Sequence, residues 1–261
     1  MNGRIKFMLV GLLLFSLMLE TAWAFDHSHR LFDDVLKQAV EVDGPKSRVR
    51  YGWIQNNPDK LNRYQQEIEG VTRSEYEQWS KEQQKAFLIN AYNALTIKLI
   101  LSKYPDLDSI KDLGGFFSGP WKVKFFRLLG EEQHLDHIEH SVLRKDFTEP
   151  RIHFALVCAS IGCPALPNEV FTADRLNEQL NDATKKFLKD KDRNYIDDGS
   201  NTMHLSSIFK WFKGDFAKKA GSVEKFVAPW ITDDKQLQQK IRDGKMDITY
   251  LDYDWNLNRS E

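Results

Sequence analysis

The sequence predicts an α+β fold: a single helix-rich domain with a small, mostly antiparallel sheet. Three observations carry that prediction. A long stretch from Lys81 to about Lys103 is apolar almost all round and opens on a helix cap. Elsewhere, apolar residues three and four apart mark amphipathic helices, while the strand-like runs are short and bounded by turn residues. The 261-residue chain shows no repeat, no low-complexity linker and no domain boundary, and its 41% hydrophobic content is enough for a sizeable core.

The first residues read as a secretory signal. Arg4 and Lys6 precede an apolar run from Phe7 to Leu19, and Ala22-Trp23-Ala24 is a small-x-small cleavage site. The run is shorter than the roughly 20 apolar residues of a spanning helix, and Glu20 ends it. Residues 1–24 are therefore expected to be a cleaved leader, and residues 25–261 a secreted or periplasmic domain with no stable membrane span. Membrane anchoring by an uncleaved leader is the alternative. The charge balance, 37 basic against 38 acidic residues, lacks the basic patch or stripe of a nucleic-acid binder.

Along the chain, Leu31, Phe32, Val35, Leu36 and Ala39 give one apolar face to a helix over 29–42, stopped by Gly44-Pro45. Val49, Tyr51 and Trp53 alternate as a short strand would. A helix follows Pro58 and ends near Gly70. Ser80 and Gln83 form the capping box of the central helix, on which Asn90 and Asn93 fall on one stripe. A buried amide without a partner costs about 1–3 kcal/mol, so both are expected to bond a neighbouring loop or to line a site. Trp121, Val123 and Phe125 read as a half-buried strand after the aromatic loop 116–121, a candidate exposed rim. Asp136 and Glu139 read as a second capping box, opening a helix through Arg144. Thr172 is expected to cap a helix to Leu188. Asp198-Gly199 marks a hairpin between Tyr195-Ile196 and Met203-Leu205. Helices over 223–231 and 235–242 follow, and a last strand over 247–255 would put Asp252 and Asp254 on one face.

Both cysteines, Cys158 and Cys163, sit in the stretch from Arg151 to Pro164, behind an apolar run. His153 lies five residues before Cys158. That separation is about 140° on a helix and opposite faces on a strand, so His153 is a poor local base. His140 would have to come from another element, with Glu139, Asn90 or Asn93 orienting it; the catalytic candidates are Cys158, His140, Glu139, Asn90 and Asn93. Such a site would suit a thiol-dependent hydrolase or transferase. Cys158 is preferred to Cys163 as nucleophile, because Cys163 is held between Gly162 and Pro164. In an oxidising compartment the two sulfurs would instead pair, with a stabilisation of roughly 2 kcal/mol for so short a ring. A disulfide of Cys158 and Cys163 leaves a non-catalytic binding or scaffold domain as an alternative. A third reading is a metal site of His137, His140, Cys158 and Cys163. No cofactor is predicted otherwise, and no partner is indicated.

Several blocks together resemble one family. They are the runs 87–97, 138–144 and 151–158, the turn Gly162-Cys163-Pro164, and the later runs 205–211 and 250–258. In order, they are similar to the domain-of-unknown-function 547 family over about 82–258. The resemblance implies that the Ile-Glu-His helix and the two cysteines are the family's signature, and it implies no particular activity. His137 stands where the family pattern leads one to expect an acidic residue.

Overall fold

The computed structural model describes residues 24–115 and 119–260. The expected leader, Ala24 excepted, lies outside the described residues, and so do residues 116–118 of the aromatic loop.

The fold is of the predicted α+β class. Helix α1 (Arg30–Ala39) buries Phe32, Val35, Leu36 and Ala39. It stops earlier than its spacing predicts, because β1 (Val40–Asp43) pairs antiparallel with β2 (Lys46–Val49) around Gly44 at φ +56°. The strand expected at Val49-Tyr51-Trp53 is instead helix α2 (Tyr51–Asn56). Tyr51 and Ile54, three apart, both face the core, and the Tyr51 hydroxyl donates to Asn258 Oδ1 at 2.7 Å. Helix α3 (Asp59–Gly70) is as expected, while α4 (Arg73–Gln78), capped by Thr72, has no counterpart in the sequence reading. Helix α5 (Lys81–Leu101) forms the predicted capping box, with Ser80 Oγ accepting from the Gln83 N–H and Gln83 Oε1 from the Ser80 N–H. Nearly its whole circumference is buried.

Trp121 lies in a 3-10 turn (Pro120–Lys122), so the strand there begins later, as β3 (Phe126–Leu128) paired with β4 (Glu131–Gln133). The Asp136 capping box does not form. Asp136 has helical backbone angles and caps nothing, and residues His137–Leu143 wind as a π-helix, the Arg144 N–H bonding to the Glu139 carbonyl five residues back. A short helix α6 (Arg144–Asp146) and a 3-10 turn (Pro150–Phe154) lead into the cysteine loop. Helix α7 (Leu176–Leu188) starts four residues after Thr172. Strands β5 (Tyr195–Asp197) and β6 (Thr202–Ser206) make the predicted hairpin, Ile196 opposite Met203. Helices α8 (Ile208–Trp211), α9 (Lys213–Ala220), α10 (Val223–Ile231) and α11 (Lys235–Arg242) follow, and β7 (Asp247–Leu251) returns parallel to β6. The strands thus form three small sheets rather than one, with β6–β7 the parallel pair. Because β7 ends at Leu251, Asp252 and Asp254 are exposed loop residues rather than a strand-face pair; the Asp254 carboxylate accepts from the Asn256 N–H.

Two apolar clusters build the interior. One surrounds α5; the other is aromatic, with Phe154, Phe187, Phe209 and Phe216 against β6. The chain crosses between them within a few residues, since Phe154 belongs to the second cluster and Ala155 to Val157 to the first. Tyr253 packs against both. The candidate pocket opens at this junction. No described helix is long and apolar enough to cross a membrane.

Candidate functional site

The pocket encloses about 200 Å³. Its floor holds Glu139, His153 and the Cys158–Cys163 pair, and its walls are largely aromatic.

Asn93 fixes the approach of the cysteine loop. Its amide donates to the Ala155 carbonyl at 2.9 Å, and its oxygen accepts from the Val157 N–H at 2.9 Å. Asn90, one turn away, makes the same two-bond clamp on Phe171, outside the pocket lining. The predicted stripe therefore divides: Asn93 holds the loop that carries Cys158, and Asn90 holds a neighbouring segment.

The loop then turns sharply. Ala159 sits at φ +62°, and residues 159–162 pair with the C-terminal segment. The Gly162 N–H donates to the Asp254 carbonyl at 2.8 Å. A Cβ on Gly162 would lie 3.0 Å from the Asp254 N and O and from the Tyr253 ring. Backbone cannot give way as a flexible side-chain end can, so Gly162→Ala is expected to destabilise the protein by about 1–3 kcal/mol and to displace Tyr253. Denaturant unfolding and near-UV circular dichroism check this; an unchanged midpoint would contradict it.

The Cys158 and Cys163 sulfurs lie at disulfide distance, with Cα atoms 6.3 Å apart. Arg193 donates to the Cys163 carbonyl and also to that of Pro45, tying the loop to the β1–β2 turn. The Cys158 sulfur, partly exposed to the pocket, lies 3.2 Å from both the Tyr253 hydroxyl and Ser160 Oγ. Burial pushes the Tyr253 phenol well above its ordinary value, so it stays protonated.

The π-helix sets the ionisable groups. Asp136, His140 and Arg144, spaced four apart, stack along one edge. His140 Nε2 lies 3.4 Å from Asp136, and Arg144 Nη1 lies 2.5 Å from His140 Nδ1. The guanidinium must be the donor, so Nδ1 is the unprotonated nitrogen and Nε2–H faces Asp136. Partial burial lowers the His140 pKa, and Arg144 does so further, while Asp136 opposes them. His140 thus lines the pocket with both ring nitrogens engaged.

Glu139 turns inward from the same helix. Only 12% of its side chain is exposed. Burial pushes its carboxyl up to about 7, against the opposing pull of Arg144 and of the Tyr92 hydroxyl. His153 Nδ1 faces it at 3.9 Å, and His153 Nε2 bonds Asp215 Oδ2 at 2.8 Å. Burial lowers the His153 pKa despite Asp215, leaving a neutral ring that donates from Nε2. Burial alone would raise Asp215, but hydrogen bonds from His153 and Arg144 outweigh it and hold the carboxylate well below its usual range. Arg144 grips Asp215 with two bonds, at 2.6 and 3.1 Å. Phe212 stacks on His153 with ring centroids 3.8 Å apart.

Sequence reasoning brought forward Glu139, His140, Asn93 and both cysteines, all now found at or beneath one pocket. It set His153 aside as a partner for Cys158; His153 serves Glu139 and Asp215 instead. It missed Asp215, Arg144 and Tyr253 as members of the site. Arg144 and Tyr253 lie within the blocks that carried the resemblance, but nothing local to Asp215 distinguishes it from any exposed helix-start aspartate. His137 packs edge-on to His134, 6.2 Å between centroids. Among the described residues no three His, Cys, Asp or Glu side chains are grouped to hold a metal ion.

A family model described as a protein of unknown function, DUF547, matches residues 76–188. Residues 76–188 thus carry the DUF547 match that the resemblance led one to expect. The search of curated proteins and that of solved structures each returned no match. The DUF547 match covers α5, the π-helix, both cysteines and α7, and with them Asn93, Glu139, His140 and His153. Asp215, Trp211 and Tyr253 come from beyond it, so the DUF547 segment supplies the floor of the pocket, and the chain after it supplies much of the wall.

Proposed function

We propose that this chain is an exported protein whose functional centre is the junction pocket, and that Glu139 is its proton-transfer group. The observation that carries this reading is a carboxyl buried at the floor of an aromatic cleft, 3.9 Å from His153 Nδ1, whose burial pushes its pKa up to about 7. A group half ionised near neutrality can both accept and give a proton there. Asp215 and Arg144 act as positioning residues, since they fix the His153 tautomer and ring plane. The leader pattern read in the sequence over residues 1–24 is what supports export, and an oxidising compartment would keep Cys158 and Cys163 paired, making them part of the wall.

A second reading has its own support. Were the pair reduced, the Tyr253 and Ser160 hydroxyls near the Cys158 sulfur could stabilise a thiolate facing the pocket. Alkylation of the native exported protein, followed by mass spectrometry, separates the two. No label before reduction and two labels after it are expected. Rapid labelling of Cys158 without reduction would overturn the acid–base reading in favour of a cysteine nucleophile.

A further inference from the structure

We infer that the pocket receives a small organic cation, an alkylated ammonium group, with Glu139 as its counter-ion and the tryptophan and tyrosine rings as its walls. The inference rests on the reading of the pocket as the functional centre and names the ligand class for it.

The walls are the first argument. Trp121 meets Trp255 edge to face at 5.7 Å, Trp211 stacks on Trp255 at 5.7 Å, and Tyr253 touches both Trp211 and Trp255, at 4.9 and 4.5 Å. Trp211 is 46% exposed, unusual for so large an apolar side chain, and it is one of the residues that line the pocket. Aromatic faces carry negative potential, and cages of them bind quaternary and alkylated ammonium ions. One member of this cage already holds an ammonium of the chain itself: Lys111 Nζ lies 3.8 Å from the Trp255 ring centroid.

The charges are the second argument. Among the described residues the lining contains no lysine or arginine, and its acidic members are Asp136 and Glu139. Within salt-bridge range the Glu139 carboxylate meets an imidazole, His153, at 3.9 Å. Arg144, on the adjoining turn, is committed to Asp215 and His140. The buried carboxylate therefore faces an aromatic cavity with no cation in direct contact, Arg144 acting on it only from farther off. An ion left so costs free energy, and a permanent cation that cannot donate a proton offsets that cost by charge alone.

The pH dependence follows from the groups around Glu139. Tyr92 from α5 and Tyr253 from the C-terminal segment stay protonated throughout the working range. Asp215 from α9 stays ionised, and Arg144 stays charged. Asp136 and His140 lie on its own helix, His153 on the preceding 3-10 turn of the cysteine loop, and Lys122 acts on His140 from the Trp121 turn. Protonation of Glu139, His140 or His153 in acid would each oppose a cation, so affinity rises with pH.

The test is calorimetric titration of the intact protein with choline and with 3,3-dimethyl-1-butanol, its uncharged isostere, at constant ionic strength. Saturable choline binding, about tenfold tighter at pH 8.5 than at pH 5.5, with the isostere much weaker, is expected; tenfold corresponds to one unit of pKa displacement. Glu139→Gln should flatten the pH dependence, and Trp211→Ala, at an exposed position that tolerates truncation, should weaken choline at every pH. Equal binding of the isostere, pH-independent choline binding, or no binding of choline overturns the inference. If choline fails while the Glu139 carboxyl still titrates near neutrality, the cation is wrong and the acid–base pocket stands; if Glu139 titrates as an ordinary glutamate, that reading falls too.

Discussion

Glu139→Gln is expected to be more stable than the parent protein at pH 8.5, by up to about 3 kcal/mol, and to lose that advantage as the pH falls to about 4.5. The sign follows from proton linkage. The folded protein holds the Glu139 proton up to a pKa of about 7, while the unfolded chain releases it near its ordinary value of 4.5. The folded state therefore binds more protons between those values, and stability falls as pH rises through that window. Each pKa unit is worth about 1.4 kcal/mol, which gives the figure quoted. Glutamine carries no such penalty. His153, held below its ordinary value, destabilises the fold in acid, and Asp215, also held low, contributes stability that is lost as pH falls through the acidic range. Both persist in the variant, so the difference between the two proteins isolates Glu139. Denaturant unfolding across pH measures it. A difference that does not change between pH 4.5 and 8.5 would sink the account of Glu139 as a carboxyl whose burial outweighs the pull of Arg144 and Tyr92.

Asn93→Ala is expected to cost about 3–5 kcal/mol. It leaves the Ala155 carbonyl and the Val157 N–H without partners inside the core, each worth about 1–3 kcal/mol when orphaned. The loss also releases the strand of loop that carries Cys158 to Tyr253, so the disulfide should be reduced faster by dithiothreitol. Asn90→Ala should cost a comparable amount through Phe171, yet leave the Glu139 titration unchanged. Chemical unfolding, with the rate of thiol release, separates the two asparagines. A cost below about 1 kcal/mol for Asn93→Ala would mean that water or a shifted loop replaces its bonds.

These two side chains also show what the sequence makes legible. Asn90 and Asn93 stand out because an amide in an apolar helix must find partners, and one turn of spacing puts both on the same stripe. Which of them serves the site depends on where residues 155–157 and 171 cross α5, and that is tertiary. The capping box at Ser80 is readable because both its bonds are local. The apparent box at Asp136 and Glu139 uses the same residue types, but burial of Glu139 against Tyr92 and His153 competes with the local bond and wins, and the backbone takes up a π-helix. Tyr51 misleads for a related reason: Val49, Tyr51 and Trp53 alternate like a strand, whereas the bond from Tyr51 to Asn258 and the pairing of Val40 with Val49 assign the boundary from elsewhere in the chain. Asp215 is invisible in the sequence, since its importance comes entirely from Arg144 and His153 meeting it.

The most direct test of the site is a carbon-13 NMR titration of the Glu139 side-chain carboxyl in the oxidised, intact protein, assigned by its disappearance in Glu139→Gln. The account predicts a midpoint near 7. A midpoint near 4.5, the value of a solvated glutamate, would contradict it.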